Sequence, residues 1–422
     1  MAYKIEPFDI WHFLCVRCHN YTPTVKCRID FGGRVDAEAL KQAVTLSKKT
    51  IPLIGCCILE RRGVPRWAEM GFTGEDMVAA EPAGGDTEAQ IARHLTGAMD
   101  ITAEPQMKIT IVKGVNGDTL CINISHIVCD GAGAKQYIYL LGEIYTRLLA
   151  GQPPPAQSFE QRGLEPILAP IGLRKKARIL RSGFRTYSEL ELQACGETGS
   201  ETGGREIHIV KRTLPKESFG AFKTFLNSNQ ATVNDGFMAL FARAYCKNNG
   251  VDRVLLPSTM DLRKYMPQGI KYGISNYTSD CMCDISAGPG DSIAKTVASV
   301  SAQMRAYKSG DEILKSILKW DMMVRFIPYK TLRFIYMKRI IHPTVYYTNM
   351  GILNENLLNY DFLPITDAFL TTTERQLPYL QLNVSTYDSR CTINSILRGS
   401  RRDRLYAERM LDDICEEARA PI

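Results

Sequence analysis

One histidine, His126, stands four residues before an aspartate in the run Ser125-His126-Ile127-Val128-Cys129-Asp130-Gly131. A neutral imidazole takes up a proton near pH 7, its ordinary pKa being about 6.5, so His126 can activate a hydroxyl or an amine as a general base. The role of Asp130 is open on spacing alone. Aimed at the imidazole it would raise the histidine pKa, and paired with a distant arginine it would instead brace the turn that positions His126. Gly131 removes a side chain where the chain must turn sharply.

The elements on either side explain why these residues are held in place. Leu120, Ile122 and Ile124 alternate with Cys121, Asn123 and Ser125, the period of a half-buried strand. Tyr137, Leu140, Leu141, Ile144 and Leu148 follow at helical spacing within 134–150. His126 thus falls at a strand-to-loop junction, where a rigid element can aim a side chain into a cleft. Upstream, 107–112 and 119–125 read as a hairpin across Gly114-Val115-Asn116-Gly117, and Asp36 opens a helix with an acidic first turn.

Four later segments fall in register with this one. Ala231-Thr232-Val233-Asn234-Asp235-Gly236, Met260-Asp261-Leu262-Arg263, Gly273-Ile274-Ser275-Asn276-Tyr277 and Thr348-Asn349-Met350-Gly351 follow in order. Together with Ser-His-x-x-x-Asp-Gly they resemble the chloramphenicol acetyltransferase-like superfamily, which includes peptide-synthetase condensation domains, wax ester synthases and alcohol acyltransferases. The resemblance covers essentially the whole chain and departs at two points. Ser125 replaces the first histidine of the motif, and no Asp-Phe-Gly-Trp-Gly segment is present. It implies an α/β fold of two similarly folded halves with an active-site tunnel between them. It also implies acyl transfer from a thioester with His126 as base, and a structural pair between Asp130 and Arg263. Gly131 and nearby backbone donors are expected to stabilise the developing oxyanion, with Asn276 and Asn349 as polar contributors. Ser125 and Thr348 are further candidates for the tunnel wall. The co-substrate is expected to be an acyl-coenzyme A or phosphopantetheine thioester, with no tightly bound cofactor, and the acceptor a small molecule or lipid. Two rival readings remain: a free-standing condensation catalyst acting on carrier-bound substrates, and a non-catalytic binding protein of the same fold.

Composition bounds the remaining classes. The chain has 422 residues, 45% apolar and 23% charged, with a net charge of +7, as expected of an ordinary globular protein. It has no uninterrupted apolar run of spanning length and its N-terminus lacks a signal-peptide pattern, so a cytoplasmic location is the expectation. The thirteen cysteines form no regular framework and read as reduced, mostly buried thiols. Cys15-Val16-Arg17-Cys18-His19 matches the short pattern for covalent haem attachment but has no accompanying distal-ligand motif, and a metal site is not expected. The basic run 174–181 suits an acyl carrier protein or a membrane surface, although a solvated helix face is the commoner origin of such a run. No nucleic-acid-binding signature accompanies it.

The expected halves are 1–190 and 206–422, joined by an exposed linker at 191–205 that is rich in Gly, Ser, Thr and Glu. Strands are expected at 206–211, 345–350, 369–373, 380–386 and 391–397. Helices are expected at 216–227, 233–248 with Thr232 as N-cap, and 402–417. The aromatic-rich stretch 313–341 reads as two amphipathic helices broken at Pro328 and packed on the second core, with an acyl channel or peripheral membrane contact as the alternative.

Overall fold

The hairpin around Asn116-Gly117 is the spine of the first sheet in the computed structural model, which describes residues 2–19, 23–61, 63–156, 162–182, 206–266, 273–339, 343–375 and 379–420. The linker expected at 191–205 lies outside the described residues. Strands are numbered in chain order. A small sheet holds β1 (Ala2–Tyr3), β3 (Cys56–Arg61) and β4 (Val64–Glu69). The first large sheet holds β2 (Thr24–Phe31), β5 (Val78–Pro82), β6 (Met107–Lys113) and β7 (Asp118–Ser125), together with β12 (Ile365–Thr372), in the order β12-β2-β7-β6-β5. β6 and β7 are antiparallel neighbours, and Thr24 at the start of β2 lies opposite Ser125 at the end of β7. One face of this sheet carries Ile29, Leu120, Ile122 and Ile124, which are buried with Leu40, Val44, Tyr137 and Leu141 of the helices Ala37–Ser47 and Gly131–Leu149.

The second large sheet runs β10-β9-β11-β13-β14-β8 and comprises β8 (Glu206–Leu214), β9 (Arg253–Asp261), β10 (Thr278–Ser286), β11 (Val345–Ile352), β13 (Leu380–Tyr387) and β14 (Arg390–Gly399). Its core helix, Val233–Asn249, is buried nearly all round. Thr232 and Asp235 close a reciprocal capping box at its start, and Gly250, at φ 63°, ends it in the left-handed conformation that costs glycine least. The helices Lys216–Ser228, Ile293–Ser309 and Arg401–Arg419 complete this core.

The two sheets are tied together by chain crossing between them. β12 follows β11 in sequence yet pairs antiparallel with β2 at the edge of the first sheet. The connection into β12 also grips the helix behind the histidine motif. Tyr360 Oη donates to the Ile138 carbonyl at 3.1 Å, the Asp361 amide donates to Thr146 Oγ1 at 2.7 Å, and the Asn354 amide donates to Tyr139 Oη at 2.8 Å.

The stretch 313–341 forms helices Glu312–Phe326 and Tyr329–Arg339, divided at Pro328 as expected. Only the first begins on the second core, through Ile313, Leu314, Ile317 and Leu318. Trp320, Leu332 and Tyr336 instead bury Ile10 and Leu14 of the N-terminal helix Pro7–His19 in a cluster of their own. The expectation of packing on the second core alone is corrected to that extent. An apolar stripe specifies burial but not the partner that provides it. The basic run forms the helix Leu173–Arg181, which buries Ile179 and leaves most of its charges exposed. The twelve cysteines among the described residues are free, and all but Cys18 are buried. No helix among the described residues is long and apolar enough to cross a membrane, and no group of three metal-ligating side chains occurs among them.

Gly142 is where the grip on the motif helix is tightest. A Cβ there would stand 2.3 Å from the Asn359 carbonyl oxygen. Gly142→Ala should therefore push the loop off the helix and cost about 1–3 kcal/mol, as overpacking does, read as a lower urea midpoint at an unchanged slope. An unchanged midpoint would show that the contact is slack.

Candidate active site

β7 delivers the histidine motif to the edge of the second half. At the end of the strand, the Ser125 amide donates to the Gln106 carbonyl and the His126 amide to the Pro23 carbonyl, each at 2.8 Å. The chain then makes one turn, closed by the Val128 amide on the Ser125 carbonyl at 2.9 Å, and enters the helix Gly131–Leu149 with Asp130 as N-cap. The loop Gly273–Tyr277 of the second half lies directly against this turn.

Asp130 is the centre of the junction. Its carboxylate is buried and accepts two parallel bonds from Arg263 Nη1 and Nη2, both at 3.0 Å. It also accepts from the Gly133 amide at 2.8 Å, the Tyr277 amide at 2.7 Å and Thr278 Oγ1 at 2.9 Å. Burial alone would raise its pKa, but the Arg263 charge and the bonds from Arg263, Gly133 and Tyr277 hold it below the usual carboxylate range. Arg263 further donates to the Ser275 carbonyl at 3.1 Å and to Asp261 Oδ1 at 3.2 Å, with its guanidinium 5.0 Å from the Tyr277 ring centroid. Of the two roles open to Asp130 on spacing, these contacts correspond to pairing with an arginine.

His126 is held by a different residue. Asn276 Nδ2 donates to the carbonyls of His126 at 2.9 Å and Ile127 at 3.1 Å, which fixes the amide orientation. Asn276 Oδ1 is then left facing His126 Nδ1 at 3.2 Å, so the proton of a neutral ring belongs on Nδ1. Nε2 keeps its lone pair and has no protein partner among the described residues. Burial pushes the His126 pKa below the ordinary value; a bond to its own backbone, the Asp130 charge and Asn276 oppose the shift, while the Arg375 charge adds to it. That direction favours the neutral ring at pH 7.

The other candidates are placed as follows. Ser125 is fully buried, and its Oγ accepts from the Ile127 amide at 3.4 Å. Thr348 Oγ1 hydrogen-bonds Thr259 Oγ1 at 3.0 Å. Asn349 Oδ1 accepts from the Gly351 amide at 2.8 Å, a local cap on the irregular end of β11, where Gly351 sits at φ 73°. Asn276 is thus brought to the histidine by hydrogen bonds, and Thr348 and Asn349 are engaged elsewhere. Gly131 lies against Met350, whose Sδ would stand 2.6 Å from an added Cβ.

Two residues of this junction carry no signal in the sequence. Arg162 is buried, and its Nη1 donates to the carbonyls of Val128 at 2.7 Å and Ile274 at 2.9 Å, bridging the two facing loops. Its Nη2 pairs with Asp9 at 2.7 Å. The ring of His12 stacks on that of His126, with centroids 4.3 Å apart. An open depression of about 290 Å³ in the second half is lined by Asn234, Thr259, Asp261, Lys264 and Lys308, among others.

No family model matches the chain, and no curated protein matches it in sequence. Solved structures do match its fold. Polyketide synthase associated protein 5 from Mycobacterium tuberculosis is 15% identical with a TM-score of 0.68, over 99% of this chain and 97% of that one. The first condensation domain of the CDA synthetase is 14% identical with a TM-score of 0.69, over 100% and 97%. The trichothecene 15-O-acetyltransferase of Fusarium sporotrichioides is 10% identical with a TM-score of 0.71, over 98% and 94%.

Removing one partner of a buried pair strands the other charge, so Arg263→Leu and Asp130→Leu should each cost about 3–5 kcal/mol. The double variant should lose clearly less than the sum in urea denaturation. Strict additivity would contradict the pairing. The likeness over the full length, at identities this low, establishes the architecture: the chain has the two-lobed α/β fold of condensation domains and chloramphenicol acetyltransferase-like acyltransferases.

Proposed function

We propose that this protein transfers an acyl group from a thioester to a hydroxyl or amine acceptor, with His126 as general base. The observation that carries the reading is a half-buried imidazole, its pKa lowered by desolvation, whose Nδ1 is engaged by Asn276 while Nε2 has no protein partner among the described residues. In this reaction the acceptor's proton moves to Nε2 as its oxygen or nitrogen attacks the thioester carbonyl. The tetrahedral oxyanion collapses with cleavage of the carbon–sulfur bond, and the proton passes from Nε2 to the departing sulfur. Proton and electron pairs balance without a covalent enzyme intermediate, so no activated serine or cysteine is required. The Gly131 amide, at the N-terminus of the helix Gly131–Leu149, would serve as a backbone donor for the oxyanion, favoured there by the helix dipole. Asp130 and Arg263 act on the loop geometry and not on the substrate. The open depression lined by Lys264 and Lys308 would offer these two ammonium groups to an anionic donor such as a coenzyme A or phosphopantetheine thioester.

The test is acyl transfer from a panel of coenzyme A thioesters, and of the same acyl groups on a carrier protein, to alcohols and amines. The wild-type chain should turn over at least one pair. His126→Ala should lower kcat by about 10²–10⁴-fold, the usual worth of a positioned base. Undiminished turnover in that variant would overturn the mechanism, and a donor accepted only on the carrier protein would identify a condensation-type catalyst. Because burial lowers the His126 pKa, the base form persists as pH falls through the ordinary value. The acid limb of kcat/KM should therefore lie below about pH 6.5; a limb above it would contradict the environment assigned to the ring.

A further inference from the structure

We infer that His12 is the positioning residue of the proposed base: its ring lies face to face with that of His126, centroids 4.3 Å apart and planes inclined by 28°, and fixes the plane in which Nε2 points. The inference rests on the reading of His126 as the base. A stacked arrangement decides what His12 can do. The N–H bonds and lone pairs of an imidazole lie in its ring plane, so two nearly parallel rings cannot hand a proton to one another and a relay is excluded. What remains is geometry and charge. Asn276 and the residue's own backbone hold the His126 ring only along its edge, and hydrogen bonds in the ring plane leave it free to tilt across its faces. A second ring on its face removes that freedom and covers one side from water.

His12 is itself well anchored. It belongs to the helix Pro7–His19, three residues and so one turn beyond Asp9. Asp9 is buried, pairs with Arg162 at 2.7 Å and accepts from Trp67 Nε1 at 3.0 Å. Trp320 Nε1 donates to the Pro7 carbonyl at 2.7 Å. Arg162 also holds the carbonyls of Val128 and Ile274, so one guanidinium fixes both the helix that carries His12 and the loops that carry His126 and Asn276.

The charges facing the pair agree with this role. Asp130 and Arg375 act on His126 in opposite senses, and His126 is the charge acting on His12. Burial, and then His126, push the His12 pKa well below the ordinary histidine value. Two protonated rings in contact would repel, so His12 stays neutral when His126 takes up the acceptor's proton.

The test is a pH titration of the full-length protein labelled with ¹³C at the histidine Cε1 positions, with resonances assigned through His12→Ala and His126→Ala, alongside acyl transfer by the substrate pair found in the panel. In the wild type His126 should titrate below about 6.5. In His12→Ala the uncovered ring should titrate near that ordinary value, and kcat should fall about 10–100-fold, the effect of a small misplacement, with KM changed less than about twofold. His12→Phe, which restores a flat ring without a titrating group, should recover most of both losses; His12→Leu replaces the alanine variant if that one does not fold. The inference is overturned if His12→Ala leaves both the midpoint and kcat at wild-type values, or if His12→Phe recovers neither. Full activity in His126→Ala would instead overturn the reading on which the inference rests.

Discussion

The bidentate contact between Arg263 and Asp130 is the constraint on which the rest of this junction depends. A carboxylate taken out of water is costly unless its lone pairs are met and its charge balanced. Here five donors from three segments converge on one carboxylate: the guanidinium after β9, the first turn of the helix Gly131–Leu149, and the backbone and hydroxyl at the entrance to β10. Such convergence works only if those segments meet at one place. The pair therefore specifies a register between the two halves as much as it contributes stability.

Everything near His126 follows from that register. With Ser275 beside Asp130, Asn276 falls opposite the His126 and Ile127 carbonyls. Its amide then has one orientation, and its remaining oxygen selects the histidine tautomer. Arg162 repeats the arrangement from the other side, with backbone carbonyls of both loops on one nitrogen and Asp9 on the other. The imidazole is thus half-buried without being fully engaged, and a base needs that combination.

Much of this was legible in the sequence, because local rules decide local structure. Period-two apolar residues ending at Ser125, an Asn-Gly turn and helical spacing after Gly133 fixed β7, its hairpin partner and the following helix. Thr232 with Asp235 marked a helix start by its capping chemistry. The similarity of the Gly273–Tyr277 segment to a known motif pointed to Asn276. What was not legible depends on partners far apart in the chain. The pattern of 369–373 identifies a strand but not the sheet that accepts it, and β12 joins the first. Arg162 sits in a stretch with no periodicity, and its role exists only once Asp9, Val128 and Ile274 are assembled around it. His12 lies in a helix whose Cys-x-x-Cys-His ending drew attention to the wrong chemistry. Asn349 was ambiguous in sequence because an asparagine caps a nearby amide as readily as it meets a ligand, and in the structure it caps Gly351.

The central claim is that the junction presents a neutral His126 with its proton on Nδ1 and its lone pair on Nε2. Ring ¹⁵N shifts and ¹⁵N–¹H couplings of histidine-labelled protein at pH 7, with His126 assigned by its loss in His126→Ala, measure this directly. The account predicts a protonated Nδ1 and a bare Nε2, reversing or averaging when Asn276 is replaced by alanine. An imidazolium, or a proton resident on Nε2, in the wild-type protein would contradict it.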